Sequence, residues 1–188
     1  DFDPPEIETV KTDIVLGDLF EIGSHRLLCG DSTKSEDVER LMGGEKADMV
    51  FTDPPYGIGI DGQKKSIAKN PKHNRKAHEF MGWDSERPNP EIFKQILSLS
   101  IPTVIFGGNY FADLLPASSG WLVWRKPQAE TGFSLADVEL CWTSKPFAAR
   151  TKTATRRDGN QHPTQKPIDV MLWTIGFIDA DTILDPFM

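Results

Sequence analysis

Cysteine is scarce in this sequence. Cys29 and Cys141 are its only two in 188 residues, too few for a disulfide framework. Each sits in an apolar run that reads as a strand, so both are expected to be small buried hydrophobes in a reducing compartment. The four histidines, His25, His73, His78 and His162, show no metal-ligand spacing among themselves or with the cysteines, and no metal is expected. Long hydrophobic runs are missing too. No stretch approaches the roughly 18 apolar residues of a membrane span, so no membrane partner is expected. The start, Asp1-Phe2-Asp3-Pro4-Pro5-Glu6, lacks the basic head and apolar core of a signal peptide. It also lacks an initiator Met, so the chain is expected to begin inside a longer protein. Internal repeats and low-complexity tracts are absent. An overall basic excess is absent as well: the net charge is −7, which argues against a protein that coats nucleic acid nonspecifically.

What is present is ordinary in amount and uneven in placement. Hydrophobic residues make up 38% and charged residues 26%, a composition that suits one sizeable globular domain. Acid gathers at Asp1, Asp3, Glu6 and Glu8, while base gathers over 64–76 and 145–157. Residues 1–12, acidic and proline-bearing, read as a linker, and 13–188 as one domain. Within it strand-like and helical runs alternate. His25 to Gly30 reads as a strand ending at Asp31. Ser35 to Met42 reads as a helix with Ser35 as N-cap and Val38, Leu41 and Met42 on one face. Ala47 to Thr52 is an apolar strand. Residues 57–88 lack periodicity and read as a long mobile basic loop. Asn89 caps a helix with Pro90 in its first turn and Ile92, Phe93, Ile96 and Leu99 as its buried face. Thr103 to Phe106, Trp121 to Trp124 and Val138 to Thr143 are strands, and 144–161 is a second basic loop. Pro167 opens a helix whose Ile168, Met171, Leu172, Ile175 and Ile178 keep helical spacing. Thr182 to Leu184 is a last strand. This alternation predicts an α/β layered sheet. Ligands of such sheets sit at the carboxyl ends of strands, where Asp31, Asp53 and Asp185 fall.

Asp53-Pro54-Pro55-Tyr56 follows an apolar strand and precedes Gly57. Prolines and glycine also punctuate plain strand-to-turn transitions, so the tetrapeptide gains weight from two further segments. These are His162-Pro163-Thr164-Gln165-Lys166-Pro167 and Ile183-Leu184-Asp185-Pro186-Phe187-Met188, with Cys29-Gly30-Asp31-Ser32 as a weaker fourth. In this order they resemble the S-adenosylmethionine-dependent amino-methyltransferases of DNA, adenine-N6 or cytosine-N4. More narrowly they resemble the permuted β-class, in which the catalytic loop precedes the cofactor motif. The likeness spans about residue 17 to the end.

The resemblance implies a Rossmann-like methyltransferase sheet with helices on both faces, and the catalytic residues Asp53, Pro54, Pro55 and Tyr56. The chemistry suits them. An adenine amine is a poor nucleophile because its lone pair is delocalised into the ring. A carboxylate at Asp53 and the carbonyl of Pro54 can each accept one amine hydrogen, pulling the nitrogen toward a tetrahedral form aimed at the methyl. The prolines stiffen the loop, and Tyr56 offers a face for an extruded base. The resemblance further assigns S-adenosylmethionine to Asp31, Thr164, Lys166, Asp185 and Phe187. Asp185 would face its methionine end, Thr164 and Lys166 its carboxylate. Asp31, at the end of the strand beside the catalytic one, would accept from its adenine amine. A solvated turn is an equal reading for Asp31, a surface lysine before a helix the less favoured one for Lys166, and a structural turn the preferred one for His162. A glycine turn, a helix and a strand would follow Met188 in this family. The chain is therefore expected to be a fragment, incomplete at its C-terminus, that holds cofactor weakly and is inactive by itself.

Two basic segments are candidate contacts to double-stranded DNA: Lys64, Lys65, Lys69, Lys72, Arg75 and Lys76 in the first loop, and Arg150, Lys152, Arg156 and Arg157 in the second. A solvated loop is the plainer reading of the first. Trp121, Trp124, Trp142 and Trp173 are expected in the core, and Trp83 as an anchor of its loop. Asp53 favours adenine, since the cytosine-N4 members more often carry serine there. An RNA target and a non-catalytic DNA-binding fragment are the other readings. The acidic start is similar to the tether that joins an upstream ParB-like domain to such methyltransferases in phages and mobile elements. Their site of action is the cytoplasm, and a homodimer is the other partner compatible with the likeness.

Overall fold

A computed structural model describes residues 12–62, 80–127, 129, 136–155 and 164–187. The chain falls into two compact units, 1–45 and 46–188, where a single domain from residue 13 is expected from the sequence.

The first unit carries a hairpin and a helix. β1 (Leu19–Ile22) pairs antiparallel with β2 (His25–Leu28), Ile22 facing His25 across a two-residue turn. Gly23 takes φ +63° there, a conformation open to glycine at little cost. α1 (Ser35–Met42) follows. Val38, Leu41 and Met42 are half-buried, as their spacing predicts, and so is Asp37. The cap differs: Lys34 occupies the N-cap position without a side-chain bond, and Ser35 is the first helical residue. Cys29 is only half-buried, because β1 and β2 form a two-stranded sheet with no third strand.

The second unit is built on β3 (Met49–Thr52), α2 (Pro90–Ser98), β4 (Thr103–Phe106), β5 (Trp121–Arg125), β6 (Val138–Thr143), β7 (Arg150–Thr153), α3 (Ile168–Ile175) and β8 (Ile183–Leu184). Its mixed six-stranded sheet runs β7-β5-β6-β4-β3-β8. β8, β3 and β4 are parallel neighbours, β6 is antiparallel to β4 and β5, and β7 is parallel to β5. The architecture is thus α/β. All four residues of β3 and of β4 are buried. Both faces of the sheet centre are therefore covered, and such strands read as continuous apolar runs rather than alternating ones.

Met49, Phe51, Val104 and Phe106 point to one face, where they join Leu122, Trp124, Cys141, Val170 and Ile178 in one core cluster. α3 packs on this face. Its inward residues are Val170 and Thr174, with Met171 and Ile175 beside them and Ile178 buried just past its end, so three of the five expected positions lie in or against the core. Ile168 and Leu172 are 64% and 66% exposed. The segment is apolar nearly all round, so its periodicity does not select a face. α2 behaves more as expected: Asn89 accepts from Glu91 N at 3.0 Å, Pro90 opens the helix, and Ile92, Phe93 and Ile96 are buried. Leu99 is the exception, exposed just past the last helical residue. Of the tryptophans, Trp124 and Trp142 are buried, and Trp121 and Trp173 half-buried. The second basic segment is not all loop, since 150–153 form the outer strand β7. Its two threonines supply strand propensity that its charges conceal. None of the described helices is long and apolar enough to cross a membrane.

Two isoleucines test the observed face around α3. Ile178 is 4% exposed and Ile168 is 64% exposed. Ile178→Ala is expected to cost about 2–5 kcal/mol in denaturant unfolding, and Ile168→Ala no more than about 0.5 kcal/mol. Equal costs would contradict the packing.

Candidate active site

β3 runs into Asp53-Pro54-Pro55-Tyr56 at the carboxyl edge of the sheet. Pro54 is buried, and Asp53, Pro55 and Tyr56 are half-buried, so a stiff turn presents its acid at the rim. Both oxygens of Asp53 are engaged. Oδ1 accepts from the Tyr56 hydroxyl at 2.6 Å, and Oδ2 meets Lys166 Nζ at 2.5 Å. The Lys166 side chain is 5% exposed and that of Asp53 29%. Lys166 Nζ also lies 3.5 Å from Glu139 Oε2 and 3.4 Å from the Thr164 carbonyl oxygen. Glu139 Oε1 in turn meets Lys126 Nζ at 3.0 Å. Two cations and two anions thus alternate in a row, Lys126, Glu139, Lys166, Asp53. Charges this sheltered require such partners, since an unpaired one carries a desolvation cost of several kcal/mol. The Lys166 ammonium also lies 5.6 Å from the Tyr56 ring centroid and 5.3 Å from that of Phe106, within cation–π range.

Tyr56 is fixed on several sides. Its ring stacks on Tyr110 at 4.7 Å and meets Phe111 edge-on at 6.1 Å, so one of the faces expected to receive a base is covered by Tyr110. Gly107, with φ +67°, lies against the same ring, and a Cβ there would collide with it. Burial first, then the neighbouring Asp53 carboxylate, pushes the Tyr56 hydroxyl far above its ordinary value. It remains a protonated donor to Asp53 at any working pH.

Asp185 follows β8, the parallel neighbour of β3. Its Oδ1 accepts from the Thr52 hydroxyl at 2.6 Å and from Phe187 N at 3.0 Å. Burial pushes its carboxyl above the usual aspartate value, against the pull of those two hydrogen bonds. S-adenosylmethionine, the group the family likeness implies, carries an ammonium, a carboxylate and a sulfonium. Asp185 suits the ammonium, because its Oδ2 accepts no hydrogen bond among the described residues. Lys166 in this arrangement does not offer itself to a carboxylate, because its charge lies between Asp53 and Glu139.

Asp31 is used locally in the first unit. Its Oδ1 accepts from the hydroxyl and the backbone N–H of Thr33 at 2.6 and 3.0 Å. These bonds hold its carboxyl below the usual range. Among the described residues the strand before it does not pair with β3: β2 pairs with β1 alone, and the neighbours of β3 are β4 and β8. The ladder positions beside β3 are filled by strands that are far more buried than β2. Lys64, Lys65, Lys69, Lys72, Arg75, Lys76, Arg156, Arg157 and His162 lie outside the described residues. Arg150 and Lys152 stand at alternate positions of β7, opposite Leu122 and Trp124.

Four residues of the site escape a reading of the sequence: Glu139, Lys126, Asp61 and Asp84. Asp84, 1% exposed, accepts from Gly57 N at 2.8 Å and Ile60 N at 2.9 Å. Asp61, also buried, accepts from Met81 N at 2.9 Å, Gly82 N, and Trp83 N at 3.1 Å. The two carboxylates tie the segment after the Asp53 turn to the one before α2, and the backbone N–H of Trp83 is one of the groups held. Each is a polar residue among many in a non-periodic stretch, which leaves no signal. Glu139 and Lys126 do leave one: a charged residue within and just beyond strands that are otherwise apolar.

The Asp84 clamp and the Asp185 carboxyl each generate a measurable expectation. Asp84→Ala leaves the Gly57 and Ile60 N–H groups without an acceptor and is expected to destabilise by at least ~2 kcal/mol in denaturant titration. For Asp185, the folded chain holds the proton more tightly than the unfolded one. Ionisation therefore weakens folding, an effect absent below the ordinary value of 3.8 and complete above the raised one. Asp185→Asn keeps an oxygen for Thr52 and Phe187. It should raise Tm at neutral pH, and the gain should shrink toward zero as the pH falls below the ordinary aspartate range. A Tm lowered at neutral pH would contradict this account. Neither a protein-family model nor a curated protein matches the chain.

Proposed function

We propose that this chain carries the catalytic part of a DNA methyltransferase that transfers a methyl group from S-adenosylmethionine to N6 of an adenine extruded from the duplex. The observation that carries the reading is convergence. Lys166 reaches Asp53 across 113 residues of sequence, and Asp185 reaches Thr52 across 133. The three segments on which the family likeness rests thus meet at one end of one sheet. The topology supports a Rossmann-like reading of that sheet. The chain leaves β3 toward β4, while β8 lies on the other side of β3. Open α/β sheets bind ligands outside the carboxyl ends of strands at such a reversal. Asp53 and Asp185 follow the two strands that flank it.

The chemistry asked of the residues is modest. S-adenosylmethionine, when bound, supplies an electrophilic methyl on its sulfonium. Asp53 accepts one hydrogen of the adenine amine and the Pro54 carbonyl the other, which frees the nitrogen lone pair to form the new bond. Asp53 then takes the proton that the nitrogen sheds. Tyr56, always protonated, anchors Oδ1 and leaves Oδ2 as the working oxygen. Asp185 holds the cofactor's ammonium through its own Oδ2. On duplex DNA, the substrate that the family likeness implies, the adenine must leave its pair before its amine is accessible. Asp53, where cytosine-N4 enzymes more often have serine, favours adenine.

Expression of the full-length protein, followed by mass spectrometry of digested plasmid, should show methylated adenine. Asp53→Ala should lower transfer by about 10²–10³-fold and leave S-adenosylmethionine affinity within about twofold by calorimetry. Methylated cytosine without methylated adenine, or activity retained in Asp53→Ala, would overturn the reading.

A further inference from the structure

Resting on that reading, a second question concerns the lysine that occupies the working oxygen. Lys166 Nζ sits on Asp53 Oδ2 at 2.5 Å, where an amine hydrogen has to go. The ammonium must move, and its charge cannot be left alone at 5% exposure. The neighbouring acid is unusual. Glu139 belongs to β6, opposite Trp124 of β5. Its Oε1 is held by Lys126. Its Oε2 is wholly shielded and accepts no hydrogen bond among the described residues, although Lys166 Nζ is only 3.5 Å away. A buried acceptor without a donor costs about 1–3 kcal/mol, so this oxygen is a vacancy waiting for an N–H. An ammonium carries three donors. The two distances, 2.5 Å to Asp53 and 3.5 Å to Glu139, exchange if the ammonium moves by about one ångström toward Glu139, which gives it a charge-assisted bond there and takes it out of hydrogen-bond contact with Asp53 Oδ2.

We propose that Glu139 is a positioning residue that provides a second seat for the Lys166 ammonium, so that Lys166 releases Asp53 when the substrate amine arrives. In the first position Lys166 bonds Asp53 and merely neighbours Glu139. In the second it bonds Glu139, and Asp53 Oδ2 is open. Both positions keep the cation paired, and the rings of Tyr56 and Phe106 flank it. Lys126 holds the other oxygen of Glu139, which keeps Oε2 aimed at Lys166. Without the charge on Glu139, Asp53 is the one carboxylate left to Lys166 among the described residues, and the acid stays occupied.

Two measurements on the full-length protein test this. With plasmid DNA as substrate, Glu139→Gln should lower kcat about tenfold while KM for DNA and Kd for S-adenosylmethionine stay within about twofold. Unchanged kcat, or a loss confined to KM, overturns the proposal. The second measurement needs no turnover: nitrogen-15 NMR of the lysine ammonium groups. In Asp53→Asn, Lys166 should keep a slowly exchanging ammonium signal, now held by Glu139. In Asp53→Asn combined with Glu139→Gln that signal should vanish. Its loss in Asp53→Asn alone overturns the second seat. A parent protein that methylates no adenine sinks the functional reading alone, since the NMR arm decides the position of Lys166 independently.

Discussion

The ion pair between Lys166 and Asp53 organises this sheet edge. It joins the turn after β3 to the segment that enters α3, two stretches that local structure would leave independent. Its strength comes from shelter: a lysine this enclosed has no water to fall back on, so its position is dictated by the carboxylates around it. The same constraint fixes the rest of the site in sequence. Asp53 so engaged turns its other oxygen to Tyr56. Tyr56 so engaged stacks on Tyr110 and presses on Gly107. The alternation of charges continues inward through Glu139 to Lys126. A polar row of this kind is tolerated in a packed domain because each charge faces an opposite one, with Glu139 Oε2 the one oxygen of the row left without a hydrogen bond among the described residues. It also gives the site a definite geometry that apolar packing alone would not impose.

The apolar architecture beneath explains why the row can exist at all. β3 and β4 are buried on both faces, which makes them a rigid floor. Their carboxyl ends therefore deliver Asp53 and Gly107 to fixed places. Thr52 is the one polar side chain of β3, fully buried, and it spends its hydroxyl on Asp185. That bond aligns the end of β8 with the end of β3, so the two acids that follow these strands are held side by side rather than on separate loops. The raised carboxyl of Asp185 marks a residue that folding alone would not favour.

Much of this could be read from the residues. Continuous apolar runs at β3 and β4 and the Asn89-Pro90 opening of α2 carry strong local signals, and they form as expected. Asp53 and Tyr56 announce themselves by proline stiffness and position after a strand. Other features were hidden for identifiable reasons. Around α3 apolar side chains occur on every side, so which face turns inward is settled by tertiary packing. β7 conceals strand propensity under arginine and lysine. The β1–β2 hairpin is marked only by Gly23 between two short runs, and its independence from the main sheet has no sequence signature. That Lys166 meets Asp53 and Glu139 has no signal in the sequence, because a lysine in a motif says nothing about which side-chain anion it will meet. Glu139 and Asp84 act through contacts remote in sequence, which no periodicity encodes.

The paired carboxylates Asp61 and Asp84 have a consequence of another kind. Each grips backbone N–H groups rather than side chains, so apart from Gly57 and Gly82, which take positive φ, the clamp depends on the backbone and not on the side chains it holds. The two ends of the stretch between 62 and 80 are thereby pinned next to the turn that carries Asp53. Changes of length or sequence within that stretch are then decoupled from the turn that carries Asp53, which keeps its register on the sheet.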